Sequence, residues 1–172
     1  IVIDKKVYRG FSDKAGEIGH NFYQEAKDRI CRCGKPGCLE TLVNKKAIIN
    51  AVRENTNNME QKFKDELSLK KIFELWRDGD EVVSEIIDNT AYYLGVAIAN
   101  LFNTLDPEKI IVSGLLFKEG KQEFLSNVIE VIEEKVFGKL DINRIIMSDL
   151  GKRSRALGAA TLDMHNFFES SL

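Results

Sequence analysis

KIIVSGLLFKEGKQEFLSNVIEVIEEKVFGKLDINRIIMS, residues 109–148, is the stretch on which the fold class turns. KIIVSG reads as a short buried strand and RIIMS as a second strand. Between them, residues 121–137 carry Phe124, Val128, Ile132 and Val136 at helical spacing. Strand, helix and strand in this order imply parallel strands joined by a right-handed crossover. The class is α/β, with helix in the majority.

Working outward, Pro107 ends whatever helix precedes the first strand. Asp80 is a good N-cap for a long helix to about Leu105, whose apolar face is Val83, Ile87, Ala91, Leu94, Ile98 and Phe102. A shorter helix is expected at about 65–77, after the polar stretch ENTNNMEQK. Val43, Ala47, Ile48 and Val52 mark one helix from Glu40 to about Asn55. Residues 1–9, IVIDKKVYR, read as two short strands around Asp4-Lys5, although the glycine favoured in such a turn is missing. Beyond the second strand, Ser154 can cap a last helix through Leu157, Ala160, Met164 and Phe167. Trp76 and the pair Tyr92-Tyr93 read as helix packing residues, and His165 as a surface residue.

A chain of 172 residues fits one domain, 1–172, and can bury a real core. Lys plus Arg is 25 against 27 for Asp plus Glu, so the net charge of −2 lacks the footprint of a dedicated nucleic-acid binder. The basic run GKRSR at 151–155 could face phosphate at a helix N-terminus, but such runs are more often solvated loops. The longest apolar run, YYLGVAIA at 92–99, is far short of the ~20 residues of a membrane span, so no membrane is expected. No charged and apolar leader is visible, and a cytoplasmic address is the default expectation. The chain starts at Ile1, without Met and on an apolar run, which reads as a cut inside a larger protein.

The chemistry concentrates in GEIGHNFYQEAKDRICRCGKPGCLE, residues 16–40. All three cysteines lie there within eight positions, with one of two histidines and one of two prolines. An odd number of cysteines in C-x-C-x4-C spacing makes a disulfide framework a poor fit. Cys31, Cys33 and Cys38 with His20 instead make a closed set of soft and borderline ligands suited to structural Zn²⁺. Gly34 and Gly37 would let the loop fold around the ion. Glu17 stands three residues before His20, on one face of any helical turn, and Glu40 is carried to the same place if a metal ties Cys38 to His20. Two carboxylates and an imidazole could serve several sugar hydroxyls. From spacing alone, the reading of Glu17 and Glu40 as mere helix-end charges is slightly favoured.

The pieces GEIGH, CRCGKPGCLE, LGVAIANLFNTLDPEKIIVSG and RALGAATL, in this order, resemble the ROK family of sugar kinases and sugar-responsive repressors. The resemblance runs over nearly the whole chain and is most specific at Glu17–His20 and Cys31–Glu40. It implies an actin-like, ribonuclease-H-like ATPase-type fold, of which this chain is the C-terminal lobe. It implies one zinc ion on His20, Cys31, Cys33 and Cys38, sugar contacts from Glu17 and Glu40, and a second duty for His20, which faces the sugar with its other ring nitrogen.

The family's phosphate strand, catalytic Asp and Gly-rich phosphate loop would lie upstream of Ile1, and no D-x-G-[TG] or G-T-G occurs in the chain. The adenosine-side loop reads Ser113-Gly114-Leu115-Leu116, with two leucines where close approach of a nucleotide favours glycine. The expectation is a non-catalytic sugar-sensing and oligomerisation domain of a transcriptional regulator, dimeric, touching DNA only through an upstream domain. The alternative is the C-terminal half of a sugar kinase.

Overall fold

The computed structural model describes residues 1–56, 67–154 and 156–161. It starts with an antiparallel hairpin, β1 (Val2–Ile3) and β2 (Lys6–Val7), in which Val2 faces Val7 and Ile3 faces Lys6. Asp4 and Lys5 both have positive φ, 51° and 64°. A two-residue hairpin turn of this hand requires that, so the turn forms without glycine at a conformational cost.

After the 16–40 segment come α1 (Glu40–Val43) and α2 (Lys45–Asn55). The single helix expected from Glu40 to Asn55 is thus two. Asn44 adopts an extended backbone between them, and its side chain accepts from the Ala47 amide at 2.8 Å, capping α2. α3 (Leu69–Arg77) starts after Ser68, whose hydroxyl accepts from the Lys71 amide; residues 65 and 66 of the expected helix lie outside the described residues. α4 (Glu81–Leu105) matches its expected span, with the Asp80 carboxylate 2.9 Å from the Val83 amide. Asp106 closes it in a left-handed conformation, and Pro107 follows.

Next come β3 (Ile110–Val112), α5 (Leu115–Lys135) and β4 (Ile145–Met147). The two strands pair in parallel, Ile110 with Ile145 and Val112 with Met147, as the strand–helix–strand order implies. Two details differ from expectation. β3 is buried on one side only, since Val112 is buried while Ile111 is 67% exposed. α5 starts six residues early and is interrupted at Lys121, where φ is 53°, so the expected helix from 121 corresponds to its second segment. The last helix also starts earlier than expected: Gly151–Arg153 is already a 3-10 turn, and Ser154 donates back to the Gly151 carbonyl. Met164, His165 and Phe167 lie outside the described residues.

The core is one apolar cluster. Ile48 and Val52 of α2, Ile72 and Phe73 of α3, Val83 and Ile87 of α4, and Phe124, Val128 and Ile132 of α5 are all essentially inaccessible to solvent. Phe73 meets Phe124 and Trp76 edge to face, with centroids 5.4 and 5.7 Å apart. α4 and α5 cross closely at Gly95, where an added Cβ would come within 2.6 Å of Val131. Among the described residues no helix is long and apolar enough to cross a membrane.

Candidate functional site

The 16–40 segment has little regular structure, yet its backbone is closely tied. A 3-10 turn at Ile18–His20 follows Glu17, and the His20 amide donates to the Glu17 carbonyl at 3.0 Å, so both side chains leave the same turn. The segment then folds back on itself. Tyr23 N–H reaches the Gly37 carbonyl at 2.8 Å and Leu39 N–H the Asn21 carbonyl at 3.0 Å, while Phe22 bridges Cys38 and Ile30 bridges Pro36. Inside that clasp Gly34 N–H donates to the Cys31 carbonyl and Cys31 N–H to the Lys35 carbonyl, both at 2.9 Å. Gly37 has a structural reason to be glycine: its φ is 87°, and a Cβ there would lie 2.3 Å from the Phe22 ring.

The clasp brings His20, Cys31, Cys33 and Cys38 together. Their ligand atoms all lie within 4.8 Å of one another. His20 Nδ1 is 3.7 Å from Cys31 Sγ, and Cys33 Sγ is 3.7 Å from Cys38 Sγ. A tetrahedral zinc site with Zn–S near 2.3 Å puts neighbouring sulfurs about 3.8 Å apart, so the donor set and its spacing fit that ion. Cys31 and Cys38 are buried and Cys33 is exposed, with no disulfide among them. Burial pushes the Cys38 thiol up to about 12, helped by the Cys33 and Cys31 sulfurs beside it. The Lys35 backbone amide draws the Cys33 thiol below its ordinary range. Crowded sulfurs resist ionising together, and a bound dication reverses that preference.

Glu17 and Glu40 flank the cluster. Glu17 Oε2 is 3.8 Å from His20 Nε2, the ring nitrogen turned away from Cys31. Glu40 Oε2 is 3.6 Å from Cys31 Sγ, and the Glu40 side chain is three-quarters buried. A residue that spacing did not single out also meets it: Arg32 Nε lies 3.1 and 3.2 Å from the two Glu40 carboxylate oxygens. A concavity of about 490 Å³ runs beside this pair towards Asn44 and Lys46. Another, of about 460 Å³, lies between α2 and α4 and includes none of the cluster residues. The segment is anchored by Tyr23, which packs edge-on against Tyr93 of α4 at 6.0 Å, and by Arg29, which donates to the Thr41 carbonyl.

Comparison with known proteins shows what the chain is similar to. The model of the ROK family matches residues 1–165. A xylose repressor from Caldicellulosiruptor bescii is 31% identical over 98% of this chain and 44% of its own length. A glucokinase from Halalkalibacterium halodurans is 36% identical over 70% of this chain and 38% of its own. The chain thus spans less than half the length of these relatives. A ROK family glucokinase from Streptomyces griseus, solved with glucose and AMPPNP, superposes with a TM-score of 0.78 at 24% identity, covering 93% of this chain and 55% of that one. That likeness concerns the fold, and it is in keeping with the actin-like, ATPase-type architecture expected. A family-model match over residues 1–165, with both a repressor and a kinase among the relatives, leaves one conclusion: this chain belongs to the ROK family.

Proposed function

We propose that this chain is the sugar-binding C-terminal lobe of a ROK-type transcriptional regulator, braced by one structural zinc ion. The observation that carries the reading is the convergence of four metal-ligand side chains with Glu17 and Glu40 at their edge. In this reading His20, through Nδ1, and Cys31, Cys33 and Cys38 hold the ion. Bound zinc supplies a cross-link between the two arms of the clasp and fixes the His20 tautomer, leaving Nε2–H as a donor. Glu17 and Glu40 accept hydrogen bonds from sugar hydroxyls. Ionised carboxylates are good partners for them, because each charge-assisted bond is worth roughly 1.5–3 kcal/mol.

Two observations support the regulator over the kinase. Leu115 is half exposed at the start of α5 and crowds the turn where a nucleotide needs close backbone approach, whereas Leu116 packs on the core. The xylose repressor is similar along 98% of the chain. The second reading, the C-terminal half of a sugar kinase, has its own support in the 36% identity to a glucokinase. Under either reading, phosphoryl transfer needs a base and phosphate-binding donors that would come from the sequence upstream of Ile1. DNA contact would come from there too. A dimer is part of the proposal because a two-fold operator suits a two-fold protein. The apolar face of α4 does not argue for it, since Val83, Ile87, Ala91, Ile98 and Phe102 are spent inside the core.

The test is calorimetric titration of the full-length protein with D-xylose, D-glucose and N-acetyl-D-glucosamine, beside a coupled ATP assay. Binding of one sugar without turnover, weakened at least about tenfold by Glu17→Ala or Glu40→Ala, is the expected result. Turnover above the no-enzyme control would establish the kinase reading instead. No binding of any of the three sugars overturns the sugar site.

A further inference from the structure

We infer that Arg32 is a positioning residue for Glu40, holding its carboxylate at the edge of the cysteine cluster in the orientation that receives the sugar. The inference rests on the proposed sugar site. Glu40 opens α1, which is a single turn of four residues. Its Oε2 lies 3.6 Å from Cys31 Sγ. When Cys31 serves as a metal ligand, three thiolates outweigh the dication by one charge, so a carboxylate beside Cys31 meets net like charge in a partly buried setting. With no counter-charge, the favourable escape for Glu40 is rotation into water. Arg32 supplies the counter-charge, with Nε 3.1 Å from Oε1 and 3.2 Å from Oε2.

Where Arg32 sits makes it suited to the task. It lies between two of the cysteines, and its backbone belongs to the turn closed by the Gly34-to-Cys31 and Cys31-to-Lys35 bonds. The root of its long side chain is therefore fixed, although the side chain itself is 80% exposed. A single nitrogen makes both contacts, so each carboxylate oxygen keeps lone pairs for incoming hydroxyl donors. Arg32 thus orients Glu40 without using up its capacity to accept. Because the guanidinium is solvated, the pair is modest and screened by salt.

The experiment is a double-substitution cycle in the full-length, metal-loaded protein, titrated with whichever of D-xylose, D-glucose and N-acetyl-D-glucosamine the unaltered protein binds. Arg32→Ala should weaken sugar affinity about two- to five-fold, with zinc content and melting temperature unchanged. Arg32→Lys should recover part of that loss, and raising salt should reduce the gap between Arg32→Ala and the unaltered protein. In a Glu40→Gln background, Arg32→Ala should have no further effect. Unchanged or tighter binding by Arg32→Ala, or an equal loss in the Glu40→Gln background, overturns the positioning role and leaves the sugar site standing. If Glu40→Gln itself binds like the unaltered protein, or no sugar binds, the sugar site fails and this role fails with it.

Discussion

Between α4 and α5, Val83, Ile87, Val128 and Ile132 are wholly removed from water; in residues 16–40 only Ala26, Cys31, Gly37, Cys38 and Leu39 are buried. The helical region gains from apolar burial, at about 25 cal/mol for each Å² removed from water. The loop region has little of that to gain and no α-helix to organise it. Its order comes from turn bonds, a glycine under a phenyl ring and a cluster of three cysteines and a histidine. The lesson is that the proposed sugar site stands on the part of the molecule with the least core beneath it. Its geometry should therefore depend on a ligand, and the helical core's should not.

The largest expected effect separates the two regions outright. Structural zinc is worth on the order of 10 kcal/mol to its module. Chelation, or Cys33→Ala, should strip hydrogen-exchange protection from residues 16–40 while amides of α4 and α5 stay protected. Equal loss in both regions would erase the distinction, and so would no loss in either.

Next in size is the reverse experiment. Phe124→Ala removes a ring at the centre of the aromatic group with Phe73 and Phe117, and should cost about 3–5 kcal/mol of global stability. Its denaturation midpoint should fall by the same amount with and without chelator, at unchanged zinc content. A metal-dependent loss would mean the regions are coupled more tightly than their packing suggests.

Asn44→Ala comes third. It removes the cap at the junction of the two regions and should cost about 1 kcal/mol by chemical denaturation. A change under a few tenths would show the cap to be idle. The smallest effect is local. Lys5→Gly relieves a left-handed residue worth roughly 1 kcal/mol, so the Tyr8 amide, which closes the hairpin on the Ile1 carbonyl at 3.0 Å, should exchange several-fold more slowly. Faster exchange at Tyr8 would contradict the turn described.

The two regions were also unequally legible in the sequence. α4 could be read almost to the residue, because Asp80 is a clear cap and the apolar period runs unbroken to Phe102. The break at Asn44 could have been read as well, since an Asn just before a periodic run is a helix-start signal. The break at Lys121 could not: lysine carries no mark of a left-handed conformation, and Phe124 and Val128 keep the helical period beyond it. In the loop, the convergence of His20 with the three cysteines was legible because soft donors at tight spacing on a Gly-rich loop point to one shared place. Arg32 was not, because its partner lies eight residues on and is met only after the chain has folded back. Neither a period nor a motif carries a contact of that kind.

Zinc stoichiometry tests the central claim most directly. Protein purified without chelator should carry one zinc per chain by elemental analysis, and His20→Ala or Cys33→Ala should lose it. Less than about a tenth of an equivalent in the unaltered protein would contradict the account, because the clasp that holds Glu17, His20 and Glu40 would then stand without the ion.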